Sequence, residues 1–216
     1  DENGALLNVR IVFMGTPDFG VPVLESLVRS RHEIVAVYTR PDRPSGRGRH
    51  MASSPVKLAA QSHGIHVIEP RTLRDDARVA ELASLRPDLV VVAAFAYLLP
   101  EELLRVPGHG CLNVHPSLLP RHRGPSPIAS AILSGDQRTG VSIMLMDAGL
   151  DTGPVLSQEA VMVSDRDTTG SLTVALAEWG GKLLVETIDQ WLAGSVAPRA
   201  QNEVEATYSA KVEAED

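Results

Sequence analysis

The chain of 216 residues contains a single cysteine, Cys111. No internal disulfide can brace it, and the apolar segment Gly110–Val114 around that residue marks a buried structural thiol. No apolar run approaches the roughly 20 residues needed to cross a bilayer as a helix. The opening, Asp1 to Arg10, also lacks the basic flank and apolar stretch of a secretory signal. A cytoplasmic location with no membrane partner is therefore expected. Nor is there an excess of positive charge: the net charge is −7, so no global basic field draws the chain onto nucleic acid, which counts against a simple RNA-binding module. His32, His50, His63, His66, His109 and His122 show no paired metal-ligand spacing, and no metal site is expected. Gly15-x-x-x-x-Gly20 lacks the Gly-Lys-Ser/Thr of a phosphate loop and the full dinucleotide fingerprint, which argues against ATP or NAD. Ser117 does not sit in a G-x-S-x-G nucleophile elbow. There is no internal repeat and no low-complexity tract.

What is present is an alternation of short β-branched apolar runs with segments of helical period. Strands are predicted over Val9–Phe13, Glu33–Thr39, His66–Ile68, Leu89–Ala94 and Gly110–Val114. Helices are predicted from about Asp18 (as N-cap) to Ser30, over Ser54–His63 and over Arg74–Leu85. Leu89–Ala94 is continuously apolar, as in a strand covered on both faces. After Gly140 come two further strand-like runs, Val141–Met146 and Val155–Val163, separated by the loop Asp147–Pro154, and then a long helix over Thr168–Leu192. The expected fold is α/β and Rossmann-like: a mostly parallel sheet with helices on both faces and an antiparallel strand pair near the C-terminal end. From Ala193 the chain turns polar and irregular, the composition of a linker or tail.

The segment richest in chemistry is Gly110–Gly124, GCLNVHPSLLPRHRG. Asn113 and His115 lie two apart at a strand end, so their side chains share a face. The carboxyl ends of parallel strands are where open α/β sheets bind ligands. An amide donor beside an imidazole can meet an oxygen that gains charge as a carbonyl is attacked. Alone, the pair equally fits a satisfied polar strand end. The loop DAGLDTGP adds Asp151, flanked by Gly149 and Gly153. A carboxylate there could hold a histidine protonated, although an ordinary Asx-type turn has the same wording. Met144 and Met146 alternate with Ile143 and Leu145, as strand core does.

These segments resemble a known family. Asn113-Val114-His115-Pro116-Ser117-Leu118-Leu119-Pro120 and Leu150-Asp151-Thr152-Gly153 are similar to the two signatures of the 10-formyltetrahydrofolate-dependent formyltransferases. The resemblance implies a catalytic trio of Asn113, His115 and Asp151. It also implies a site for the co-substrate 10-formyltetrahydrofolate at Ser117, Leu118, Leu119 and Pro120, with Phe95, Ala96, Tyr97 and Leu98 contributing a pterin pocket. Met14-Gly15-Thr16-Pro17-Asp18-Phe19 and the stretch TRPDRPSGRGRHMASSPVK over Thr39–Lys57 resemble the branch that formylates initiator methionyl-tRNA. In that branch the long loop meets the tRNA. Arg40, Arg43, Arg47 and Arg49 are thereby implied as tRNA contacts, Arg47 foremost, with Arg121 and Arg123 beside the active-site motif. Physically the stretch supports this: Pro41, Pro44, Gly46 and Gly48 disfavour helix and strand, so a mobile arginine-rich arm supported by Lys57 is expected, able to order on phosphate.

The expected organisation is an extension over 1–8, a catalytic domain over 9–193, and from 194 to 216 the start of a linker. The resemblance implies that the linker leads to a tRNA-binding β-barrel that this chain does not contain, so a fragment is expected, acting as a monomer. Other functions compatible with the same trio are a formyl-folate deformylase and formylases of amino sugars or glycinamide ribonucleotide. A non-catalytic folate- or RNA-binding module is the alternative outside enzymology. The arginine arm favours the methionyl-tRNA branch over the hydrolase, which has no use for it.

Overall fold

The computed structural model describes residues 7–45 and 50–211. Strand β1 (Arg10–Gly15) leads into α1 (Gly20–Val28), β2 (Glu33–Tyr38), a small hairpin of β3 (Arg43–Ser45) and β4 (His50–Ala52), and α2 (Pro55–Ser62). Then follow β5 (Val67–Ile68), α3 (Asp76–Ser84), β6 (Leu89–Ala93), α4 (Glu101–Leu104) and β7 (Cys111–His115). Helix α5 (Pro127–Leu133), β8 (Arg138–Leu145), β9 (Val155–Met162) and α6 (Thr169–Leu192) come last, before a single 3-10 turn at Glu203–Glu205.

Seven strands make one sheet in the order β5-β2-β1-β6-β7-β8-β9. The first five in that order run parallel. Strand β8 is antiparallel to β7, and β9 to β8. This is the expected Rossmann-like sheet. The chain moves outward from β1 to β2 and β5, then returns to lay β6 on the other side of β1. The crevice at the carboxyl ends of β1 and β6 is thus the topological switch point.

The central strands β1, β6 and β7 are buried on both faces, and their period of two divides the core. Ile11 and Phe13 of β1, with Leu89 and Val91 of β6, face one apolar cluster that receives α1, α2 and α6. Val12 and Met14, with Val90 and Val92, face a second that receives α3 and α4. On β7, Leu112 and Val114 join the first cluster and Cys111 the second. Asn113 and His115 continue the Cys111 face to the strand's carboxyl end, as alternation requires. Helix α6 closes the first face with Leu172, Leu176, Leu184 and Ile188. Its start is fixed by a capping box between Thr168 and Ser171.

Three local expectations are corrected. Helix α1 starts at Gly20 after a turn through Pro17–Phe19, and Asp18 makes no N-cap. The arginine-rich stretch, expected to lack regular structure, pairs Arg43–Ser45 antiparallel with His50–Ala52. A three-residue edge strand tolerates Pro44 because the missing N–H is not needed by a larger ladder. Arg47 and Arg49, between these strands in the sequence, lie outside the described residues. Helices α4 and α5, of four and seven residues, are too short to show a helical period and were not predicted.

Candidate active site

Strand β7 delivers Asn113 and His115 to the sheet's carboxyl edge, and the loop between β8 and β9 brings Asp151 across to them. Asn113 Nδ2 donates to Asp151 Oδ1 at 3.4 Å. His115 Nδ1 lies 3.7 Å from Asp151 Oδ2, and both side chains are largely buried. The Gly124 N–H donates to the same Oδ2 at 2.8 Å. On the other side of the ring, His115 Nε2 donates to the His122 carbonyl at 3.0 Å. A carbonyl can only accept, so the Nε2–His122 bond puts a hydrogen on Nε2 and leaves Nδ1 turned toward the Asp151 carboxylate.

Asp151 is held in a left-handed backbone conformation, φ +53°, which for a residue with a Cβ costs of order 1–3 kcal/mol and persists only where its surroundings impose it. They do. Gln201 Nε2 donates to the Asp151 carbonyl at 2.8 Å and to the Gly153 carbonyl at 2.7 Å. Within the loop, Asp147 Oδ1 accepts from the Gly149 N–H at 3.0 Å and from Thr152 Oγ1 at 2.7 Å. Gly153 is required by close approach: a Cβ there would stand 1.9 Å from the Leu145 carbonyl oxygen.

The turn after β7 is equally fixed. Ser117 is fully buried and donates to the Arg121 carbonyl at 2.6 Å. Ser142 Oγ accepts from the Leu119 N–H and donates to the Ser117 carbonyl. Leu119 packs with Met144 and Val155, while Leu118 and Pro120 are half-buried. After β6, Phe95 is buried edge-to-face against Tyr97 with ring centroids 5.3 Å apart, and the Tyr97 hydroxyl donates to the Pro70 carbonyl. Ala96 and Leu98 face solvent. Leu150, on the Asp151 loop, is also exposed.

The arginines expected to touch RNA divide into groups. Arg40 lies over the Tyr97 ring, 5.0 Å from its centroid, and Arg43 is exposed on β3. With Thr16, Pro17, Ala52 and Ser54 they line a cavity of about 310 Å³ that none of the trio enters. Lys57 is already committed, with Nζ 2.9 Å from both Asp42 and Glu69, and its hydrogen bond holds the Asp42 carboxyl below its ordinary range. Arg121 is half-exposed and pairs with Asp136 at 2.6 Å, and His122 pairs with the same carboxylate at 2.7 Å. Arg123 is the correction. It is fully buried, donating to Glu203 at 2.7 and 2.9 Å and to Gln201 at 2.9 and 3.0 Å. Its guanidinium has no surface to offer a phosphate.

The partners of Arg123 come from the polar stretch beyond α6, which returns to the body. Val155 and Arg199 exchange backbone hydrogen bonds at 2.8 and 2.9 Å. Thr207 Oγ1 accepts from the His122 N–H at 2.8 Å, and Ser209 Oγ from the Ser126 N–H at 3.1 Å. Sequence reasoning missed the Gly124 N–H, the His122 carbonyl and Gln201. The first two are backbone groups inside the recognised motif, and Gln201 is one polar residue in a polar stretch with no local signal. Among the described residues, no three His, Cys, Asp or Glu side chains gather as a metal ion would require, and no helix is long and apolar enough to cross a membrane.

A family model described as Formyl transferase matches residues 9–188. The chain belongs to the formyl transferase family. Within this family it is 49% identical to a methionyl-tRNA formyltransferase of Marinobacter nauticus over 208 residues, 96% of this chain and 67% of that relative. It is 50% identical to a methionyl-tRNA formyltransferase of Roseiflexus sp. strain RS-1 over 202 residues, 93% of this chain and 62% of that relative. The chain thus spans about two thirds of the length of the curated relatives it matches. Among solved structures it resembles phosphoribosylglycinamide formyltransferase from Bacillus halodurans, with a TM-score of 0.71 at 26% identity over 85% of this chain and 95% of that one. The fold is shared also with an N-formyltransferase from Helicobacter canadensis in complex with folinic acid and dTDP-3-aminofucose, with a TM-score of 0.69 at 19% identity, over 93% of this chain and 70% of that one.

Proposed function

We propose that this formyl transferase domain moves the formyl group of 10-formyltetrahydrofolate onto the α-amine of initiator methionyl-tRNA. The observation that carries the reading is the convergence of Asn113 and His115 on Asp151. The high identity to methionyl-tRNA formyltransferases along nearly the whole chain supports the choice of acceptor.

The α-amine attacks the formyl carbon directly, with no covalent bond to the protein. Asparagine carries two N–H donors. One faces Asp151, leaving the other for the oxygen that becomes negative in the tetrahedral intermediate. His115, protonated, gives that oxygen its second electrostatic partner. Asp151 sustains the charge on His115 and assists, through water, in moving the amine proton to the departing N10. Donors preorganised in a largely buried site need no rearrangement as charge develops, and losing one costs about 10²–10³ in turnover. The loops after β6 and β7 hold the folate, through Phe95, Ala96, Tyr97, Leu98 and Ser117 to Pro120. Arg40, Arg43 and Arg121, with Arg47 and Arg49, meet the tRNA backbone. The formyl transferase domain is read as 9–193, with the stretch from 194 strapped back against it through Arg199, Gln201 and Ser209.

The test is formylation of charged initiator tRNA by the parent, Asn113→Ala and His115→Ala, with non-initiator methionyl-tRNA as the competing acceptor. Each variant is expected to lose about two orders of magnitude in kcat, and the parent to prefer the initiator. Near-parental turnover by both variants would refute the assignment of the trio. Folate cleavage independent of any tRNA would make the domain a hydrolase.

A further inference from the structure

The strap over residues 199–209 reaches the reaction centre through one side chain. Gln201 uses both ends of its amide. Its Nε2 donates to the carbonyls of Asp151 and Gly153 at 2.8 and 2.7 Å, and its Oε1 accepts from Arg123 Nε and Nη2 at 3.0 and 2.9 Å. Arg123 is fully buried and is held in turn by Glu203. The amide therefore joins an immobile cation on one side to the two carbonyls that bracket the left-handed turn at Asp151 on the other. The strap itself is pinned at both ends, by the Val155–Arg199 backbone pair and by Ser209 against Arg123 and Ser126. Gln201 lies beyond the residues that the family model matches, which end at 188.

We propose that Gln201 is a positioning residue for formyl transfer: it fixes the Asp151 backbone so that the carboxylate faces Asn113 and His115. The proposal rests on the reading of Asp151 as part of the reacting trio. Without the two Nε2 bonds, the Asp151–Gly153 turn keeps its internal ties through Asp147 and the bonds that the Gly124 N–H and Asn113 make to the Asp151 carboxylate itself, which hold the side chain but leave its backbone free to shift. Displacement of a reacting group by about 1 Å costs on the order of a hundredfold in rate, without any loss of substrate contacts.

Two substitutions separate positioning from simple stability. Gln201→Ala removes both ends of the amide. Gln201→Glu keeps an acceptor for Arg123, so the strap stays docked, but presents oxygen to the Asp151 and Gly153 carbonyls. Steady-state formylation and thermal unfolding of the intact protein are measured for both, beside Asp151→Asn and Glu203→Gln. Both Gln201 variants are expected to lower kcat about ten- to a hundredfold, with KM for folate and tRNA within about twofold of the parent. Gln201→Glu should unfold near the parental temperature, and Glu203→Gln should keep kcat within about twofold while lowering Tm. A Gln201→Glu enzyme with parental kcat, or one changed in KM alone, beside an inactive Asp151→Asn, would overturn the positioning role. Full activity in Asp151→Asn would overturn the reading of the trio, and the proposal with it.

Discussion

Replacing Asp151 with asparagine keeps the shape of the side chain, removes its charge and turns one acceptor into a donor. In the native site Asn113 Nδ2 donates to Oδ1 at 3.4 Å, the Gly124 N–H donates to Oδ2 at 2.8 Å, and His115 Nδ1 stands 3.7 Å from Oδ2. An amide has one oxygen. If it serves Gly124 and His115, the new NH2 group confronts the Asn113 amide; if it serves Asn113, the NH2 group confronts the Gly124 N–H and His115. Losing a hydrogen bond to a charged group costs about 1.5–3 kcal/mol, and a buried donor left unmet about 1–3 kcal/mol. The Asn113 contact is long, so the lower ends apply, giving about 2.5 kcal/mol, or somewhat under two orders of magnitude in kcat. The assay is single-turnover formylation of charged initiator tRNA at saturating folate, with thermal unfolding alongside to show an intact fold. A folded Asp151→Asn protein turning over within about threefold of the parent would refute the claim that this carboxylate organises the reacting groups.

Further outcomes follow from the same structure. Arg123→Ala empties a fully buried site and strips the strap of the bonds it makes through Gln201 and Glu203, and should lower the midpoint in urea titration; Arg121→Ala, on a half-exposed pair, should leave stability within about 1 kcal/mol and weaken tRNA binding instead. Reversal of those two effects would contradict the separation of the two arginines. Burial pushes the Cys111 thiol up to about 12, so thiol reagents should label the folded protein very slowly near about pH 8 and rapidly once urea unfolds it; fast native labelling would show that this strand is not closed. A Cβ at Gly140 would stand 2.1 Å from the Glu159 carbonyl oxygen across the β8–β9 pair, so Gly140→Ala should cost about 1–3 kcal/mol of stability, and an unchanged denaturation midpoint would argue against that register.

The sheet was legible where burial imposes a simple pattern. The unbroken apolar run of β6 and the alternation on β7 follow from strands covered on two faces, and the period of two alone places Asn113 and His115 on one face. Asp151 was found because its loop has a distinctive wording, not because its backbone conformation can be read from residue types. The start of β8 was less visible, since Arg138 and Thr139 precede its apolar run, and α5 is too short for its period to emerge. The largest omission was the strap. Gln201, Glu203 and Thr207 look like residues of an exposed linker, and only the folded chain reveals that the first two hold a buried guanidinium and the third meets the His122 N–H. For the same reason Arg123, basic and next to the active-site motif, reads as an RNA contact although its charge is consumed inside the protein.

The most direct measurement of the central claim follows a labelled formyl group. 10-Formyltetrahydrofolate carrying isotope in the formyl carbon is mixed with the protein and charged initiator tRNA, and label and tetrahydrofolate are quantified together. Direct transfer predicts that the label arrives on the methionyl amine in equal amount to tetrahydrofolate released, that none remains on the protein, and that release stops when the charged tRNA is omitted. Label recovered as free formate, or tetrahydrofolate formed at the same rate without tRNA, would contradict it.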